Sequence, residues 1–453
     1  MFYARVEELK TLKARLAGKG QAVLIYGKRR VGKTFLIKEA LPKRSIYFEC
    51  TADTLETNLA AFRNQCVLSG IAVPDYVQFS SFVAAFQYLD SLGEPISVAI
   101  DEYPFLRELN EPSRVDSIFQ NVIDNHLNHL NLIIAGSAVK VMQSLLVEGN
   151  PLYGRFKQTI HLPEMNYIEV SAFYSNKSVF EKIAFYSVFG GSPYVNRSVD
   201  PALGINENII QTLLKEGSEV FNYAESIAIT DVANQLQAKR ILSVLSNGRK
   251  RHMDLIHELD KNKTGVIARA LQSLQDLGVI RKVAPINWVD DAKKTRYEIA
   301  DNVLRFFYTF VYPNKSRLAL LGPESFFEEY VLPKLAPFVS LRFEEQARDY
   351  FSLLVKAGRL KGVKNIGTYY YDDIQRHSNG EFDVALETSK GFDIYEVKYL
   401  RHPLNGAAMM HEIKQIQAIQ EIKVHKVGFI SAIGFDYPLE GYDLIDGEMM
   451  YSL

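Results

Sequence analysis

The sequence predicts an α/β protein with a parallel sheet, a helical segment, a three-helix module with a β-hairpin, and a C-terminal α/β domain. Three observations support this prediction. Apolar runs of strand length alternate with helical stretches over roughly the first 165 residues. Near residue 236 the pattern changes to three short helices followed by two strand-like runs. Beyond residue 313 a helix precedes three further strand-like runs, and 453 residues suffice for about three domains.

Five runs are the candidate strands of the first sheet. They are rich in apolar and β-branched residues, as strands buried on both faces are, and the helical stretches between them favour parallel pairing. The runs are AVLIYG (22–27), SIYFEC (45–50), ISVAID (96–101), NLIIAGS (131–137) and QTIHLPEM (158–165). The stretch 166–235 is mostly helical in pattern, and GGSP (190–193) interrupts it.

Composition excludes several classes of protein. Hydrophobic residues make up 47% and charged residues 23%, which argues against a disordered chain. The net charge is −1, so a nucleic-acid surface would have to be a local patch. Two cysteines cannot form a disulfide framework. Without a run of about 18 apolar residues or a secretory signal, we expect a cytoplasmic protein that does not contact membranes.

The phosphate-binding loop is the most specific motif. It fits G-x-x-x-x-G-K-[ST] between a strand (AVLIY) and a helix (TFLIKEAL), as ATP or ADP binding requires. Backbone N–H groups and the helix N-terminus would hold the phosphates, Lys33 would reach the β- and γ-phosphates, and Thr34 would bind Mg²⁺. The alternative is a glycine-containing turn with no ligand. The predicted cofactor-binding residues are Gly27, Lys28, Arg29, Arg30, Val31, Gly32, Lys33 and Thr34.

Later strands supply partners for this loop. Asp101 ends an apolar strand and would hold Mg²⁺ through water, while Glu102 would orient or activate the attacking water. Ser137, at the end of NLIIAGS, is placed to contact the γ-phosphate or to cap the next helix. Arg155 is a candidate for stabilising γ-phosphate charge, within one chain or across the interface of a homo-oligomer. Its alternative role is a surface salt bridge.

The segment 236–312 has the plan of a winged helix. On its third helix, Ile267, Ala270, Leu271 and Leu274 share one face. Between residues 239 and 282 there are ten lysines and arginines against four acidic residues. This balance makes DNA a candidate partner, held mainly through its phosphates. A protein–protein module that docks against the ATPase is the alternative.

Carboxylates in the C-terminal segment form the second candidate site. If TSKG is a hairpin loop with residue 387 opposite residue 392, Asp383 faces Glu396. Lys398 then lies on the same face as Glu396, because side chains alternate along a strand. Two carboxylates and a lysine suit a Mg²⁺-dependent phosphodiesterase. The alternative is a solvated cross-strand cluster in which the lysine relieves acid repulsion.

The motifs together resemble a known family. YGKRRVGKT, VAIDEYPFL, LIIAGSAVKVM, PLYGR and GGSP resemble, in order, the archaeal-type ATPases of the STAND group, relatives of the AAA-type ATPases. The resemblance implies a P-loop core over 1–165, a helical lid over 166–235 and a winged helix over 236–312. It also implies that Gly191 and Pro193 of the lid contact the nucleotide.

The C-terminal segment 313–453 resembles the domain of unknown function that follows these ATPases. LRFEEQARDYF, EFDVALE and YEVKYL carry this resemblance, and that domain is similar to PD-(D/E)xK nucleases of the restriction-endonuclease-like fold. The resemblance implies that Asp383, Glu396 and Lys398 are catalytic. It adds Glu344, with Glu345 as its possible replacement, to the metal ligands. The aromatic run from Phe306 to Tyr312 is predicted to be helix core.

Two functions are compatible with these features. The first is an ATPase whose nucleotide state controls a DNA-binding and DNA-cleaving C-terminal half. The second is a regulatory ATPase switch or scaffold whose nuclease-like domain does not cleave. Both require the phosphate-binding loop, and they differ over Asp383, Glu396 and Lys398.

Overall fold

The computed structural model describes residues 5–230, 235–259, 264–288, 294–373, 378–419 and 422–453. The chain divides into two compact units, Met1–Glu164 and Met165–Leu453. Within the described ranges, no helix combines the length and the apolar character needed to cross a membrane.

A five-stranded parallel sheet forms the centre of the first unit. Its strand order is β2-β3-β4-β1-β5, with bounds β1 Ala22–Tyr26, β2 Ser45–Glu49, β3 Ile96–Asp101, β4 Leu130–Gly136 and β5 Gln158–His161. The helices are α1 Val6–Leu16, α2 Lys33–Ala40, α3 Leu55–Leu68, α4 Phe82–Ser91, α5 Pro104–Glu108, α6 Pro112–Asn125 and α7 Val139–Ser144. The five predicted strands are therefore confirmed.

Burial explains why these runs are continuous in apolar character. Every residue of β1, β3 and β4 is buried. Alternate side chains of each strand pack into apolar clusters on opposite faces of the sheet; Leu24 and Ile134, for example, lie on one face and Val23 and Ile133 on the other. The carboxyl ends of the parallel strands meet at one edge, which holds the candidate nucleotide site.

The second unit begins with short helices. They are α8 Tyr167–Ser171, α9 Val179–Phe189, α10 Pro193–Arg197, α11 Ile205–Asn208 and α12 Glu219–Thr230. Capping boxes begin two of them, Asn166 with Glu169 and Ser178 with Glu181. The predicted interruption at GGSP is confirmed, because α9 ends at Phe189 and α10 starts at Pro193.

A compact helix–hairpin module, residues 235–299, follows. It contains α13 Gln235–Leu245, β6 Lys250–Arg251, α14 His252–Leu259, α15 Thr264–Asp276, β7 Ile280–Val283 and β8 Arg296–Ile299. Its antiparallel sheet has the order β6-β8-β7. The four apolar residues predicted to share one face of the third helix are buried. Three helices with a hairpin are thus present as predicted, and the winged-helix assignment stays a prediction.

Further helices connect this module to the last sheet. They are α16 Asn302–Phe306, α17 Lys315–Phe326 and α18 Leu332–Lys356, with π segments at Phe307–Val311 and Phe327–Val331. The aromatic run was predicted to be helix core, and Phe306, Phe307, Tyr308 and Phe310 are all buried, whereas Tyr312 is half-buried.

The last sheet is mixed. Its order is β13-β12-β11-β10-β9, with bounds β9 Val363–Asp373, β10 Ser378–Thr388, β11 Phe392–Lys398, β12 Val424–Ser431 and β13 Asp443–Asp446. Strands β9, β10 and β11 pair antiparallel, whereas β12 and β13 are added in parallel. Helices α19 Gly406–Ala418 and α20 Gly447–Tyr451 complete the unit. The C-terminal α/β pattern is confirmed; the nuclease-like fold assignment stays a prediction.

Candidate functional site

The loop between β1 and α2 has a backbone that few sequences allow. Gly32 has φ +96° and Arg30 has φ +67°, both in the left-handed region. A Cβ atom on Gly27 would lie 2.1 Å from the carbonyl oxygen of Leu162, so only glycine fits there. These constraints make the loop curl at the N-terminus of α2, where backbone N–H groups and the helix dipole favour an anion.

Lys33 is the first residue of α2 and is buried. Its Nζ donates hydrogen bonds to the carbonyl oxygens of Gly27 at 3.0 Å and Lys28 at 2.9 Å. Burial lowers the pKa of Lys33, while the nearby carboxylates of Glu102 and Asp101 oppose that shift. The ammonium group is therefore held inside the loop by carbonyls that a phosphate could replace.

Asp101 at the end of β3 accepts hydrogen bonds from two side chains of the site. It is buried, and its Oδ2 accepts a hydrogen bond from the Thr34 hydroxyl at 2.9 Å and another from the Tyr47 hydroxyl at 2.7 Å. Burial, together with the hydrogen bond to Asp101, raises the pKa of Tyr47. A hydroxyl beside a carboxylate fits Mg²⁺, which keeps several waters and takes few protein ligands when it is bound with phosphates. Tyr47 was missed at the sequence level.

Glu102 and Ser137 are joined across neighbouring strands. The Ser137 hydroxyl donates to Glu102 Oε2 at 2.7 Å, and the Ser137 backbone N–H donates to the same oxygen at 3.2 Å. Glu102 has φ +51°, a conformation that costs energy for a residue with a side chain. Backbone strain and two hydrogen bonds thus fix the direction of this carboxylate.

The remaining loop residues lie at the rim of the site. Val31 is buried, whereas Arg29 and Arg30 are exposed. Lys28 forms an ion pair with Glu164 at 3.2 Å. These positions fit a role of the loop backbone in ligand binding, while the roles of the three basic side chains stay predictions.

Arg155 lies at the wrong edge of the sheet for a role within one chain. Gln158 is opposite Val23, so Arg155 precedes the amino end of β1, about one strand length from the loop after Tyr26. Its guanidinium pairs with Asp124 at 2.9 Å. Within the chain, Arg155 therefore forms a salt bridge, which is the alternative role given from the sequence. A role across a subunit interface stays a prediction.

The two lid residues belong to the second unit. Gly191 accepts a hydrogen bond from the Met165 backbone N–H at 2.9 Å. Pro193 is the first residue of α10, a position that suits its fixed φ. Their predicted contact with nucleotide stays a prediction.

The second candidate site is built on the hairpin of β10 and β11. The register places Glu387 opposite Phe392 and Val384 opposite Tyr395, as predicted. Asp383 precedes Val384 on β10, and Glu396 follows Tyr395 on β11. The Oδ2 atom of Asp383 accepts a hydrogen bond from the Val397 N–H at 2.9 Å. Asp383 and Glu396 therefore meet at one end of the hairpin.

Lys398 lies beside these acids. Its Nζ is 3.3 Å from Glu396 Oε2 and 3.1 Å from Glu412 Oε1 of α19. Burial would lower the pKa of Lys398, but Glu396 and Glu412 raise it, so the group is held as an ammonium ion. Glu412 was missed, because the sequence gives no register between α19 and this strand.

Glu344 of α18 faces the same cluster. Burial and then the charge of Asp383 raise the pKa of Glu344 to about 8, and the same two effects raise the pKa of Glu396 to about 7. Burial also raises the pKa of Asp383. We call Glu344, Asp383 and Glu396 the carboxylate cluster. Across the described ranges, no three potential ligands lie close enough together to form a ready-made metal site.

Comparisons with known proteins cover both halves of the chain. Residues 2–195 match a family described as an ATPase domain predominantly from Archaea. Residues 307–415 match a family described as Archaea bacterial proteins of unknown function. An uncharacterised protein of Methanocaldococcus jannaschii is 26% identical over 80% of this chain and 79% of its own length. The parallel sheet and loop of the first unit have the P-loop ATPase arrangement, and the family match supports an ATP-binding P-loop ATPase there.

The comparison with solved structures also found similar chains. The Walker-type ATPase of Pyrococcus abyssi has 18% identity and a TM-score of 0.48, covering 68% of this chain and 95% of its own. The Aeropyrum pernix ORC2 protein in its ADPNP–ADP complexes has 13% identity and a TM-score of 0.46, covering 70% and 95%.

Four basic residues of the helix–hairpin module are paired with acids of the same chain. Arg249 contacts Glu298 and Glu381, each at 2.8 Å. The other pairs are Lys250 with Glu258 at 2.6 Å, Arg251 with Asp254 at 2.9 Å, and Arg281 with Glu298 at 2.7 Å and Glu345 at 2.8 Å. The excess of positive residues in the sequence therefore overstates the charge that the module presents to DNA.

Glu345 differs from its neighbour Glu344. It contacts Arg342, Arg281 and Arg305 at 2.5, 2.8 and 4.0 Å. These guanidinium groups occupy its carboxylate. Of the two acids, Glu344 is the one whose charge interacts with Asp383. The prediction that Glu345 could replace it is not supported by this geometry.

Proposed function

We propose that the chain binds and hydrolyses ATP and that its nucleotide state controls a nucleic-acid-binding, phosphodiester-cleaving C-terminal half. The observation that carries the first part is the 2.9 Å hydrogen bond between Thr34 and Asp101, with buried Lys33 in the adjoining loop. Hydroxyl, carboxylate and ammonium groups then surround the one place where the loop and the helix N-terminus favour phosphates.

Each group has a distinct role in the proposed reaction. Lys33 neutralises phosphate charge, and Thr34 and Asp101 hold Mg²⁺, which supplies charge stabilisation when it is bound with ATP. Glu102 orients the attacking water and accepts its proton. Ser137 fixes the Glu102 carboxylate by two hydrogen bonds, so its direction is set before the nucleotide binds.

The test of the first part is Glu102→Gln. The amide keeps the size of the side chain but removes the base, so turnover is expected to fall by about 10²-fold or more while ATP binding persists. Glu108→Gln, an exposed position on α5, is the matched control and should behave as wild type. If Glu102→Gln hydrolyses ATP at the wild-type rate, another group orients and activates the attacking water.

The carboxylate cluster supports the second part of the proposal. Burial raises the pKa of all three acids, and the charge of Asp383 raises the pKa of Glu344 and Glu396 further, so a divalent cation would stabilise this site. Lys398, held as an ammonium ion, is placed to position water or the scissile phosphate. Asp383, Glu396 and Glu344 would be the metal ligands.

One observation favours the alternative, a regulatory switch or scaffold that does not cleave. Lys398 is already bonded to Glu396 and to Glu412, which partly neutralises the cluster without a metal. In that case, the acids and the lysine form a structural ion network, and the nucleotide site alone performs chemistry.

A cleavage assay separates the two functions. Single-stranded DNA, duplex DNA and RNA are incubated with Mg²⁺ or Mn²⁺, each with and without ATP. We expect metal-dependent cleavage that changes with ATP in the wild type and is lost in Asp383→Asn. Failure to cut any substrate in any condition, with intact ATPase activity, would favour the switch.

A further inference from the structure

Three cavities of the second unit share one side chain. Cavities of about 650, 350 and 390 Å³ are all lined by Arg296, and the first two also share Arg251. The second and third share Pro285, and the first and third share Arg249. They therefore meet around Arg296 as one branched groove, which we call the Arg296 groove.

Arg296 has the character of an anion-binding residue. It is half-buried, and its guanidinium makes neither a hydrogen bond nor an ion pair with any residue that the structure describes. It is directly opposite Arg251 in the pairing of β6 with β8. Arg251 is bonded to Asp254 at 2.9 Å, so Arg296 is the member of this pair without an acidic partner among the described residues, and an anion beside it would be stabilising.

One branch of the groove ends at two aromatic rings. Trp288 and Tyr370 have ring centroids 5.1 Å apart, and Lys294 lies 4.0 Å above the Trp288 ring. The walls of this 350 Å³ cavity are these three residues with Arg251, Arg296 and Pro285. Two aromatic rings inclined at 45° to each other, beside three basic side chains, match a nucleobase with its phosphates.

The aromatic pair is held rigidly by the junction of the helix–hairpin module with β9. The Asn287 side chain donates to the Tyr370 carbonyl at 2.8 Å and accepts from the Tyr370 N–H at 3.3 Å. Ile286 packs on Gly367, where a Cβ atom would lie 2.4 Å from the Ile286 methyl group. The pocket is therefore formed before any ligand arrives.

Another branch leads toward the carboxylate cluster. Its 390 Å³ cavity is lined by Glu381 and Arg348 as well as Arg296. Glu381 is two residues from Asp383 on β10, and Arg348 donates a hydrogen bond to the Asp383 carbonyl. A chain of phosphates that entered at Trp288 would thus be directed to the candidate cleavage site.

We propose that the Arg296 groove binds an unpaired nucleic-acid strand, with one base packed against Trp288 and Tyr370. The adjacent phosphates lie on Arg296, on Lys294 and on Arg251, which exchanges Asp254 for phosphate. This inference rests on the proposed function, because it names the substrate of the carboxylate cluster. An unpaired strand is specified because the aromatic rings line a concave pocket, which an unstacked base enters and a base within a duplex does not.

The chain contains a single tryptophan, so Trp288 reports directly on this pocket. The full chain is titrated with oligothymidylate in EDTA, without nucleotide, while tryptophan emission is followed. We expect quenching that saturates and weakens with salt, with a slope near −2 for three phosphate contacts. A hairpin duplex of equal length should quench at least tenfold more weakly. Equal quenching by duplex would overturn the choice of an unpaired strand.

Variants assign the contacts. Arg296→Gln should lower affinity about tenfold and reduce the salt slope by roughly 0.7, as the loss of one single-strand phosphate contact predicts. Lys390→Gln removes an exposed charge from the turn after β10 and is the matched control. Trp288→Ala should weaken binding about tenfold by anisotropy, whereas Trp288→Phe keeps a stacking ring and stays near wild type. If Arg296→Gln binds like Lys390→Gln, the groove is not the site.

Failure of this inference is distinguishable from failure of the proposed function. Metal-dependent cleavage without quenching would overturn the groove and leave the cluster as a nuclease site. Quenching without cleavage would support the groove and overturn the cleavage proposal. An acidic peptide that quenches as strongly as oligothymidylate at equal charge would show a general anion site and overturn the nucleic-acid assignment.

Discussion

The nucleotide site and the carboxylate cluster are assembled in different ways. The loop, Lys33 and Thr34 are contiguous in sequence, and the strand ends at Asp101 and Ser137 complete the site because parallel strands share an edge. The cluster instead depends on the register of a hairpin and on which face of α18 packs against it. Local motifs thus locate the first site, whereas the second exists only through tertiary packing.

The two sites also treat acid charge differently. Asp101 accepts hydrogen bonds from two hydroxyl groups and the Glu102 N–H. In the cluster, acids face acids, and the pKa values of Glu344 and Glu396 rise to about 8 and about 7. The comparison teaches that the acid of the nucleotide site is stabilised by hydrogen-bond donors, whereas the acids of the cluster are destabilised as anions by burial and by one another's proximity.

The largest expected effect tests the nucleotide side of this comparison. Lys33→Ala removes the buried ammonium group of the loop, so ATP affinity should fall about a thousandfold, or ~4 kcal/mol. Calorimetric titration with ATP and Mg²⁺ measures it, with Lys13→Ala on the exposed face of α1 as the control. Affinity within threefold of wild type would remove the basis for a phosphate site.

The next prediction separates metal binding from catalysis in the cluster. Asp383→Asn should abolish Mn²⁺ binding to the second unit and any cleavage. Lys398→Met should cut cleavage about 10²-fold and leave Mn²⁺ binding, because an ammonium ion is not a ligand. Calorimetry with Mn²⁺ and the cleavage assay measure the two.

Asp393→Asn is the matched control for that experiment. This residue lies on the opposite face of the same hairpin, where it pairs with His425 at 2.6 Å. It should change neither metal binding nor cleavage, and ATPase activity should persist in all three variants. If Asp383→Asn binds Mn²⁺ with unchanged affinity, Asp383 is not a metal ligand and the carboxylate cluster is not the metal site.

The smallest effect sharpens the electrostatic side of the comparison. Glu344 has a folded pKa of about 8 and an unfolded pKa near 4.5, so wild type loses stability as pH rises between these values. Glu344→Gln lacks that loss. Its free energy of unfolding, relative to that of wild type, should therefore rise by roughly 2 kcal/mol between pH 5 and pH 8. Urea unfolding in EDTA, followed by Trp288 emission, measures the second unit. A difference that does not vary with pH would mean that the cluster carries no excess charge.

The predictable parts of the molecule follow from local rules. The five strands, the break at Pro193, the loop and the hairpin register are set by apolar runs, glycine positions and two-residue periodicity. Tyr47 and Glu412 were missed because their contacts depend on which strand or helix lies alongside. Arg155 was given two roles, a contact to the γ-phosphate and a surface salt bridge, because its partner Asp124 on α6 cannot be identified from the sequence. Glu381 was overlooked as the partner of Arg249 for the same reason, since the two are 132 residues apart.

Glu298 forms ion pairs with arginines from different parts of the second unit. Its buried carboxylate contacts Arg249 at 2.8 Å, Arg281 at 2.7 Å and Arg305 at 3.7 Å. Burial alone would raise the pKa of Glu298, but these guanidinium groups lower it to about 2. Arg249 and Arg281 also neutralise acids on β10 and α18.

These ion pairs limit where the chain can be divided into stable fragments. Removing residues 235–299 would take Arg249 from Glu381 and Arg281 from Glu345, leaving half-buried acids with fewer counter-charges. The rest of the second unit should therefore be less stable without the helix–hairpin module, whereas division between Glu164 and Met165 follows the boundary of the two compact units. The fragment 165–453 should melt in one calorimetric step, and acid should lower its melting temperature as pH falls from about 4.5 toward about 2, where Glu298 becomes protonated.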